Sequence, residues 1–182
     1  TAKLNGLYAL APERGESLNS NAGQNPLVKG PACDREYPGD GGMNAAAAWP
    51  TYRHDSARSG STRAAVPAGL ERAWETRLPE VPTPPTIAAG KLFVASPETH
   101  TVYALDADAG KRRWSFTTGG RVDTPPTFHR GRLFFGSADG WVYCLSAADG
   151  GLCWRFRAAP RPRLVMDRGR IESAWPLHSS VL

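Results

Sequence analysis

The stretch VYALDADAGKRRW, Val102 to Trp114, decides the fold of this chain because it recurs in a second form. The second form, VYCLSAADGGLCW, runs from Val142 to Trp154 and keeps the valine, tyrosine, leucine, glycine and tryptophan at matching positions. An earlier tryptophan, Trp74, precedes Trp114 by the same interval of 40 residues. The sequence therefore contains an internal repeat with a period near 40 residues.

The residues between the tryptophans repeat as well. TPPTIAAGKLFVAS, Thr83 to Ser96, matches TPPTFHRGRLFFGS, Thr124 to Ser137. The alignment slips by one residue before TPPT and again in the turn after each serine, and loops between fixed strands tolerate slips of that size. A period near 40 residues with recurring glycines and aromatic residues is typical of β-propeller blades or of helical-pair arrays.

The local pattern distinguishes these two architectures. KLFVAS and RLFFGS are short apolar runs bounded by turn residues, as in buried strands, and the SADG sequence between two such runs predicts a hairpin. Pro85 and Pro126 each precede an apolar segment, where a strand can begin without losing a ladder hydrogen bond. No segment sustains helical spacing. We therefore predict an all-β chain, a partial β-propeller of four-stranded antiparallel blades that must stack on neighbouring blades.

Composition allows a folded core and leaves the partner open. The chain has 182 residues, of which 41% are hydrophobic, and a formal net charge of +5. The basic charge fits either a solvated surface or an anionic partner such as lipid head groups or nucleic acid. It is most concentrated in WRFRAAPRPR, Trp154 to Arg163, although strand alternation also produces such a pattern. No run approaches the ~20 apolar residues of a membrane span, and no signal peptide is visible.

The repeated residues resemble the pyrroloquinoline quinone-like, or quinoprotein-type, β-propeller repeat. The mark of that family is Ala-x-Asp-x-x-x-Gly-x-x-x-Trp, the tryptophan-docking motif. The first copy has every residue of the motif: Ala104, Asp106, Gly110 and Trp114. The resemblance implies that each tryptophan, Trp74 included, packs between adjacent blades while its indole N–H finds a hydrogen-bond acceptor.

The second copy keeps only part of the motif. Gly150 and Trp154 remain, whereas Cys144 stands for the alanine and Ser146 for the aspartate. A small residue still lets the ring approach, glycine still permits the turn, and the serine hydroxyl can still accept a hydrogen bond. We therefore expect the second copy to form a blade of the same kind.

Two further stretches extend the resemblance. WPTYRHDSARSG, Trp49 to Gly60, is similar to the segment that leads into propellers related to the bacterial outer-membrane assembly lipoprotein. There Trp49 and Tyr52 would cover an edge of the sheet, or would form a binding surface. LYALAPERGESLN, with Ala9 and Gly15 at the motif offset, is a weak echo of a decayed blade edge.

These stretches suggest three regions. Residues 1–48 are the end of a preceding region, including the decayed blade edge, together with a linker rich in glycine and proline; residues 49–73 form the lead-in segment; and residues 74–182 form incomplete quinoprotein-like blades. Propellers close with ~4–8 blades. We therefore expect the chain to be a fragment of a longer protein, or else to complete a ring with other copies.

No catalytic or metal-ligating constellation is evident. The resemblance to quinoprotein dehydrogenases would imply a Ca²⁺-bound quinone, a catalytic aspartate and a disulfide between adjacent cysteines, yet no two cysteines are adjacent and the acidic residues are scattered through turns. The four histidines lack metal spacing, and no Gly-x-Ser-x-Gly elbow occurs. We predict no catalytic residue, no metal and no quinone cofactor within this chain.

Cys144 and Cys153 flank the SAADGGL turn symmetrically. If the strands pair about Ala148 and Asp149, the two cysteines face each other and a cross-strand disulfide can form. The alternative is two packed or free thiols. The sequence leaves this choice open.

The sequence favours a non-catalytic propeller segment that acts as a protein-interaction scaffold. Its partners would be other proteins or further blades of the same polypeptide; a membrane surface is compatible, and nucleic acid is not expected. The resemblance favours the periplasm or the cell envelope. Two alternatives stay open: a fragment of a pyrroloquinoline quinone-dependent dehydrogenase whose ligands lie on other blades, and a sensor or regulatory propeller attached to an upstream catalytic domain.

Overall fold

A computed structural model describes residues 26–37, 48–167 and 169–181. The weak echo over residues 7–19 and part of the expected linker lie outside these ranges. Every regular element in the described residues is a β-strand, as the sequence predicts. The strands are β1 (Leu27–Lys29), β2 (Thr86–Ala88), β3 (Lys91–Ser96), β4 (Thr101–Asp106), β5 (Arg112–Thr117), β6 (Thr127–His129), β7 (Arg132–Gly136), β8 (Trp141–Ser146), β9 (Leu152–Arg157), β10 (Leu164–Asp167) and β11 (Arg170–Ser173).

The two repeat copies form two four-stranded antiparallel sheets, which we call blade one (β2–β5) and blade two (β6–β9). In each blade the strands lie in sequence order, joined by short hairpins. The inner strands begin directly after Pro85 and Pro126, where proline costs no ladder bond. The prediction of an all-β, partial propeller with four-stranded antiparallel blades is confirmed.

Each blade carries a β-bulge at the same place, between its third and fourth strands. In blade one Ala104 pairs with Trp114 and Leu105 pairs with Arg112, so Arg113 is the extra residue. Blade two repeats the shift: Cys144 pairs with Trp154 and Leu145 pairs with Leu152, so Cys153 is the extra residue. A bulge twists the outer strand locally, and its recurrence shows that the two copies match in backbone detail as well as in strand order.

The principal core lies between the two blades. Phe93 and Val102 of blade one are fully buried and face Leu133 and Phe135 of blade two, which are fully buried as well. Phe93 also stacks on Phe128, with ring centres 6.3 Å apart. Neither four-stranded sheet could bury both of its faces alone, and stacking supplies the missing contact.

The lead-in segment lies along the inner strands of the blades. Trp49 exchanges two backbone hydrogen bonds with Ile87 in β2, each of 2.8 Å, and the backbone N–H of Phe128 in β6 donates to the carbonyl of Pro50 at 2.7 Å. The expected edge-covering role for this segment therefore agrees with its position, although Tyr52 itself is 39% exposed.

Strand β1 adds a fifth strand to blade two by pairing antiparallel with β9. It lies within the stretch expected to be a linker, and its three residues carry no alternating pattern that would have marked a strand. Beyond β9, strands β10 and β11 form a separate two-stranded ribbon. In the described part of the chain, no helix is long and apolar enough to cross a membrane.

Candidate functional site

The two repeat tryptophans make the same contact with the blade that follows them. The indole N–H of Trp114 donates to the carbonyl of Ala147 at 3.2 Å, and its ring lies over Gly150, where an added Cβ would be 2.7 Å from a ring carbon. Trp74 donates to Ala107 at 3.0 Å and lies over Gly110 in the same way. Both glycines have positive φ, which a side chain would strain.

The small residue of the motif lies where each ring needs room. Ala104 and Cys144 are both fully buried, and each is paired in the strand register with the tryptophan of its own blade, Trp114 or Trp154. The ring of Trp154 packs against Phe134, with ring centres 6.0 Å apart. The alanine or cysteine, the glycine and the tryptophan of each motif copy therefore have packing contacts in the structure.

The motif aspartate of blade one organises a turn. One carboxylate oxygen of Asp106 accepts hydrogen bonds from the backbone N–H groups of Asp108 and Ala109, at 3.1 and 2.8 Å, and the other accepts two from Arg113. The bond from the Arg113 guanidinium, followed by the Ala109 N–H, holds the pKa of Asp106 below its usual value. Arg113 is the extra residue of the bulge, so the bulge places its guanidinium beside the Asp106 carboxylate.

Blade two replaces this arrangement with a long-range one. Ser146 stands at the aspartate position, and Asp149 in the same turn forms an ion pair with Arg35 at 2.5 Å. The Ser146 hydroxyl, the Gly151 N–H and the Arg35 guanidinium, in that order, lower the pKa of Asp149 to about 2. The pairing with Arg35 is one functional contact that sequence reasoning missed, because no local pattern links residues so far apart.

The cysteines of blade two are free thiols in the structure. The expected pairing about Ala148 and Asp149 holds only next to the turn; the bulge then places Cys144 opposite Trp154. Both Cys144 and Cys153 are buried, and the Tyr37 hydroxyl lies 3.0 Å from the sulfur of Cys153. Burial and the neighbouring Cys153 thiol raise the pKa of Cys144 to about 12. Such a thiol is a poor nucleophile.

A cavity that we call the junction cleft has a volume of about 660 Å³ and lies between the loops of blade one, the connection from β5 to β6 and the β10–β11 ribbon. It is lined by Pro82, Thr83, Pro97, Arg121, Asp123, Asp167, Arg170, Glu172 and His178. Its charges are largely paired with each other or with close neighbours. Asp123 accepts hydrogen bonds from Arg121 at 3.0 and 2.7 Å and lies 2.7 Å from His178, and Arg170 bonds to Glu98.

The described residues show no cluster of side chains that would fit a calcium-bound quinone. Ca²⁺ takes ~6–8 oxygen ligands, yet the residues that the structure describes contain no group of three or more His, Cys, Asp or Glu side chains placed to hold a metal ion. In the junction cleft, Asp123 is engaged by Arg121 and His178. The lack of a quinone cofactor stays a prediction.

Comparison with known proteins places the chain among propeller proteins. The family model described as outer membrane protein assembly factor BamB matches residues 56–175. The solved structure of BamB from Moraxella catarrhalis is 27% identical over 41% of this chain and 23% of its own, with a TM-score of 0.37. No curated protein matches significantly.

A second kind of relative is an enzyme. The quinohemoprotein alcohol dehydrogenase from Comamonas testosteroni is 24% identical, covering 63% of this chain and 20% of its own, with a TM-score of 0.50. At that identity the likeness concerns the fold alone. The chain spans about a fifth of the length of these two structures.

Proposed function

This chain belongs to the family of outer membrane protein assembly factor BamB, and from that premise we propose that it is a segment of a non-catalytic β-propeller. In this proposal it acts as a protein-interaction scaffold in the bacterial cell envelope. The partners are proteins of outer-membrane protein assembly, together with further blades that complete the ring.

The observation that carries the proposal is the kind of residue that the repeat conserves between its copies. The structure gives the shared tryptophans and glycines matching contacts between successive strands and blades, with equivalent indole hydrogen bonds at Ala107 and Ala147. The polar residues differ between the copies: Asp106 is replaced by Ser146, and Arg113 by Cys153. A repeated stacking device with variable polar residues supports a scaffold whose binding surfaces differ from blade to blade.

The charged residues of the junction cleft also support a non-catalytic role. Arg121 and His178 both contact Asp123, so this carboxylate holds the connection from β5 against the segment that contains His178. A carboxylate used in this way is a structural tie and is a poor candidate for a general base.

The proposal is tested by deleting the gene and restoring it with either the wild type or a Trp114→Ala variant. Quantitative mass spectrometry of the outer membrane then measures its integral proteins. We expect deletion to lower their amounts, the wild type to restore them, and the variant to fail because its blades no longer stack. Unchanged amounts after deletion would contradict the scaffold role.

A biochemical arm separates the scaffold from the dehydrogenase alternative. The purified protein is mixed with pyrroloquinoline quinone and Ca²⁺, and quinone binding and alcohol-dependent dye reduction are measured. The scaffold proposal expects neither. Dye reduction that depends on both quinone and calcium would favour the dehydrogenase.

A further inference from the structure

A second cavity, which we call the arginine cleft, lies beside the β7–β8 hairpin and the connection that leaves β9. It has a volume of about 350 Å³. Its lining includes four arginines from one short stretch of sequence and one carboxylate: Arg155, Arg157, Arg161, Arg163 and Asp139. The strong positive excess sets it apart from the junction cleft, where arginines and acids are paired.

The carboxylate of the cleft is hydrogen-bonded by three groups of the blade framework. Asp139 accepts hydrogen bonds from the backbone N–H of Gly119 at 3.0 Å, the backbone N–H of Trp141 at 3.1 Å and the Tyr143 hydroxyl at 2.6 Å. These donors belong to the backbone and side chains of the blade, so Asp139 stabilises the β7–β8 hairpin. Four guanidinium groups around one small cavity repel each other, and an anionic occupant would remove that repulsion.

Two of the arginines are held in place by an aromatic ring. Arg155 and Arg157 alternate on β9 and so point to the same face of the sheet. Their guanidinium carbons lie 4.4 and 4.7 Å from the centre of the Trp141 ring. A guanidinium group that stacks on a ring can still donate hydrogen bonds from its N–H groups, which lie in the plane of the guanidinium. Arginine uses these N–H groups when it binds a carboxylate with two parallel hydrogen bonds.

Arg155 supplies an additional observation. Its Nε is buried and has no hydrogen-bond partner among the residues that the structure describes. A buried donor without an acceptor is unfavourable, and an oxyanion that drew the Arg155 guanidinium toward the cleft would supply the missing acceptor. This donor belongs to a side chain that lines the cleft.

Apolar residues lie next to the charged lining. Leu164 lines the cleft and begins the β10–β11 ribbon, on which Met166 and Ile171 are also exposed. The exposed fractions of these three side chains are 65%, 69% and 62%. A ligand that fits both features combines oxyanions with apolar groups.

We propose that the arginine cleft and the adjoining ribbon bind an acidic peptide segment of a partner protein, one whose aspartates or glutamates alternate with apolar side chains. This inference rests on the proposed scaffold function and names the chemistry of its partner. A single-stranded nucleic acid fits less well, because base stacking needs an open aromatic face and the Trp141 ring is already covered by arginines. The cleft is concave, which suits an inserted side chain better than a flat lipid surface.

The test measures fluorescence polarisation of a labelled peptide of alternating leucine and glutamate pairs against the full chain. A peptide with glutamine in place of glutamate is the matched ligand control. Arg161→Glu/Arg163→Glu removes the two exposed arginines of the cleft, and Lys111→Glu/Arg112→Glu makes the same change in charge on the exposed outer strand of blade one. Thermal unfolding of both variants checks that each is folded.

We expect the acidic peptide to bind, the glutamine peptide to bind at least about tenfold more weakly, and added salt to weaken binding. Arg161→Glu/Arg163→Glu should weaken binding by about tenfold or more, whereas Lys111→Glu/Arg112→Glu should change it by less than about twofold. Equal losses in the two variants, or equal binding of the two peptides, would overturn the proposal.

Two further outcomes separate this inference from the scaffold function. Binding to vesicles rich in anionic lipid, without peptide binding, would assign the cleft to a membrane surface and overturn the peptide proposal. If Arg161→Glu/Arg163→Glu restores outer-membrane proteins as well as the wild type does, the scaffold stands and the arginine cleft is not its partner site. Failure of the wild type to restore them counts against the scaffold function itself.

Discussion

Blade one and blade two have the same packing and different electrostatics. Both place a tryptophan over a glycine and carry a bulge at the same register position. Blade one holds its turn with the local pair Asp106–Arg113, whereas blade two uses Asp149 and the distant Arg35. The comparison teaches that the repeat preserves the packing of tryptophan on glycine. The ion pair that holds the turn is not preserved, because a distant residue of the chain can supply one of its partners.

The largest expected effect comes from removing the shared tryptophan contact. Trp114→Ala should lower the free energy of unfolding by about 3–5 kcal/mol, because it empties space between the blades. Trp114→Phe keeps most of the ring and loses the hydrogen bond to Ala147, so it should cost about 1–2 kcal/mol. Urea unfolding measures both. A loss below about 1 kcal/mol for the alanine variant would show that the ring does not support the stack.

The glycine beneath the ring gives the next largest effect. Gly150→Ala should cost about 2 kcal/mol or more, because the new Cβ would meet the Trp114 ring and φ is +76°. Gly90→Ala is the matched control: φ is +68°, but nothing lies within 4 Å of an added Cβ. The control should cost about 1 kcal/mol, from backbone strain alone. Equal losses in the two variants would mean that ring contact plays no part.

The ion pair found only in blade two should give a smaller, pH-dependent effect. Because the pKa of Asp149 is lowered from 3.8 to about 2 on folding, its carboxylate adds stability above about pH 4, and this contribution is lost as the pH falls toward 2. Both side chains are half exposed, so screening limits the contribution to less than about 1 kcal/mol.

Unfolding measured between pH 2 and 6 checks this prediction. Asp149→Asn should lose part of the acid dependence that the wild type shows, and Arg35→Gln should lose a smaller part. A pH profile identical to that of the wild type in both variants would show that the pair contributes nothing.

The smallest effect is expected at the cysteines that set blade two apart. Since Cys144 and Cys153 are free and buried, a reductant should leave the Tm unchanged, and alkylation without reduction should label all three cysteines once the protein is unfolded. Intact mass spectrometry counts the labels. A mass that lacks two labels, together with a Tm lowered by reductant, would establish the disulfide that the sequence left open.

Much of the fold follows from sequence because it depends on neighbours in the chain. Alternating apolar runs, Pro85 and Pro126 at strand starts, and glycines in hairpin turns each act over a few residues. Their recurrence after 40 residues then requires stacked blades. The motif residues, including Ala104 and Trp114, could be singled out for the same reason.

Other features depend on contacts that no short window contains. The pairing of β1 with β9 and the bond from Arg35 to Asp149 join residues more than a hundred positions apart. The β-bulge at Cys153 shifts the pairing of β8 with β9 by one residue. Counting residues outward from the turn does not reveal such a shift.

The sequence by itself therefore determined the repeat, the four consecutive strands of each blade and the residues that stack the blades, because local periodicity and turn chemistry encode them. Only the tertiary structure decided which charges are neutralised. It paired both arginines of the junction cleft, Arg121 and Arg170, with nearby acids and gathered four others in the lining of the arginine cleft. The physical reason is that charge pairing depends on distances in space, and loops of unrelated sequence set those distances.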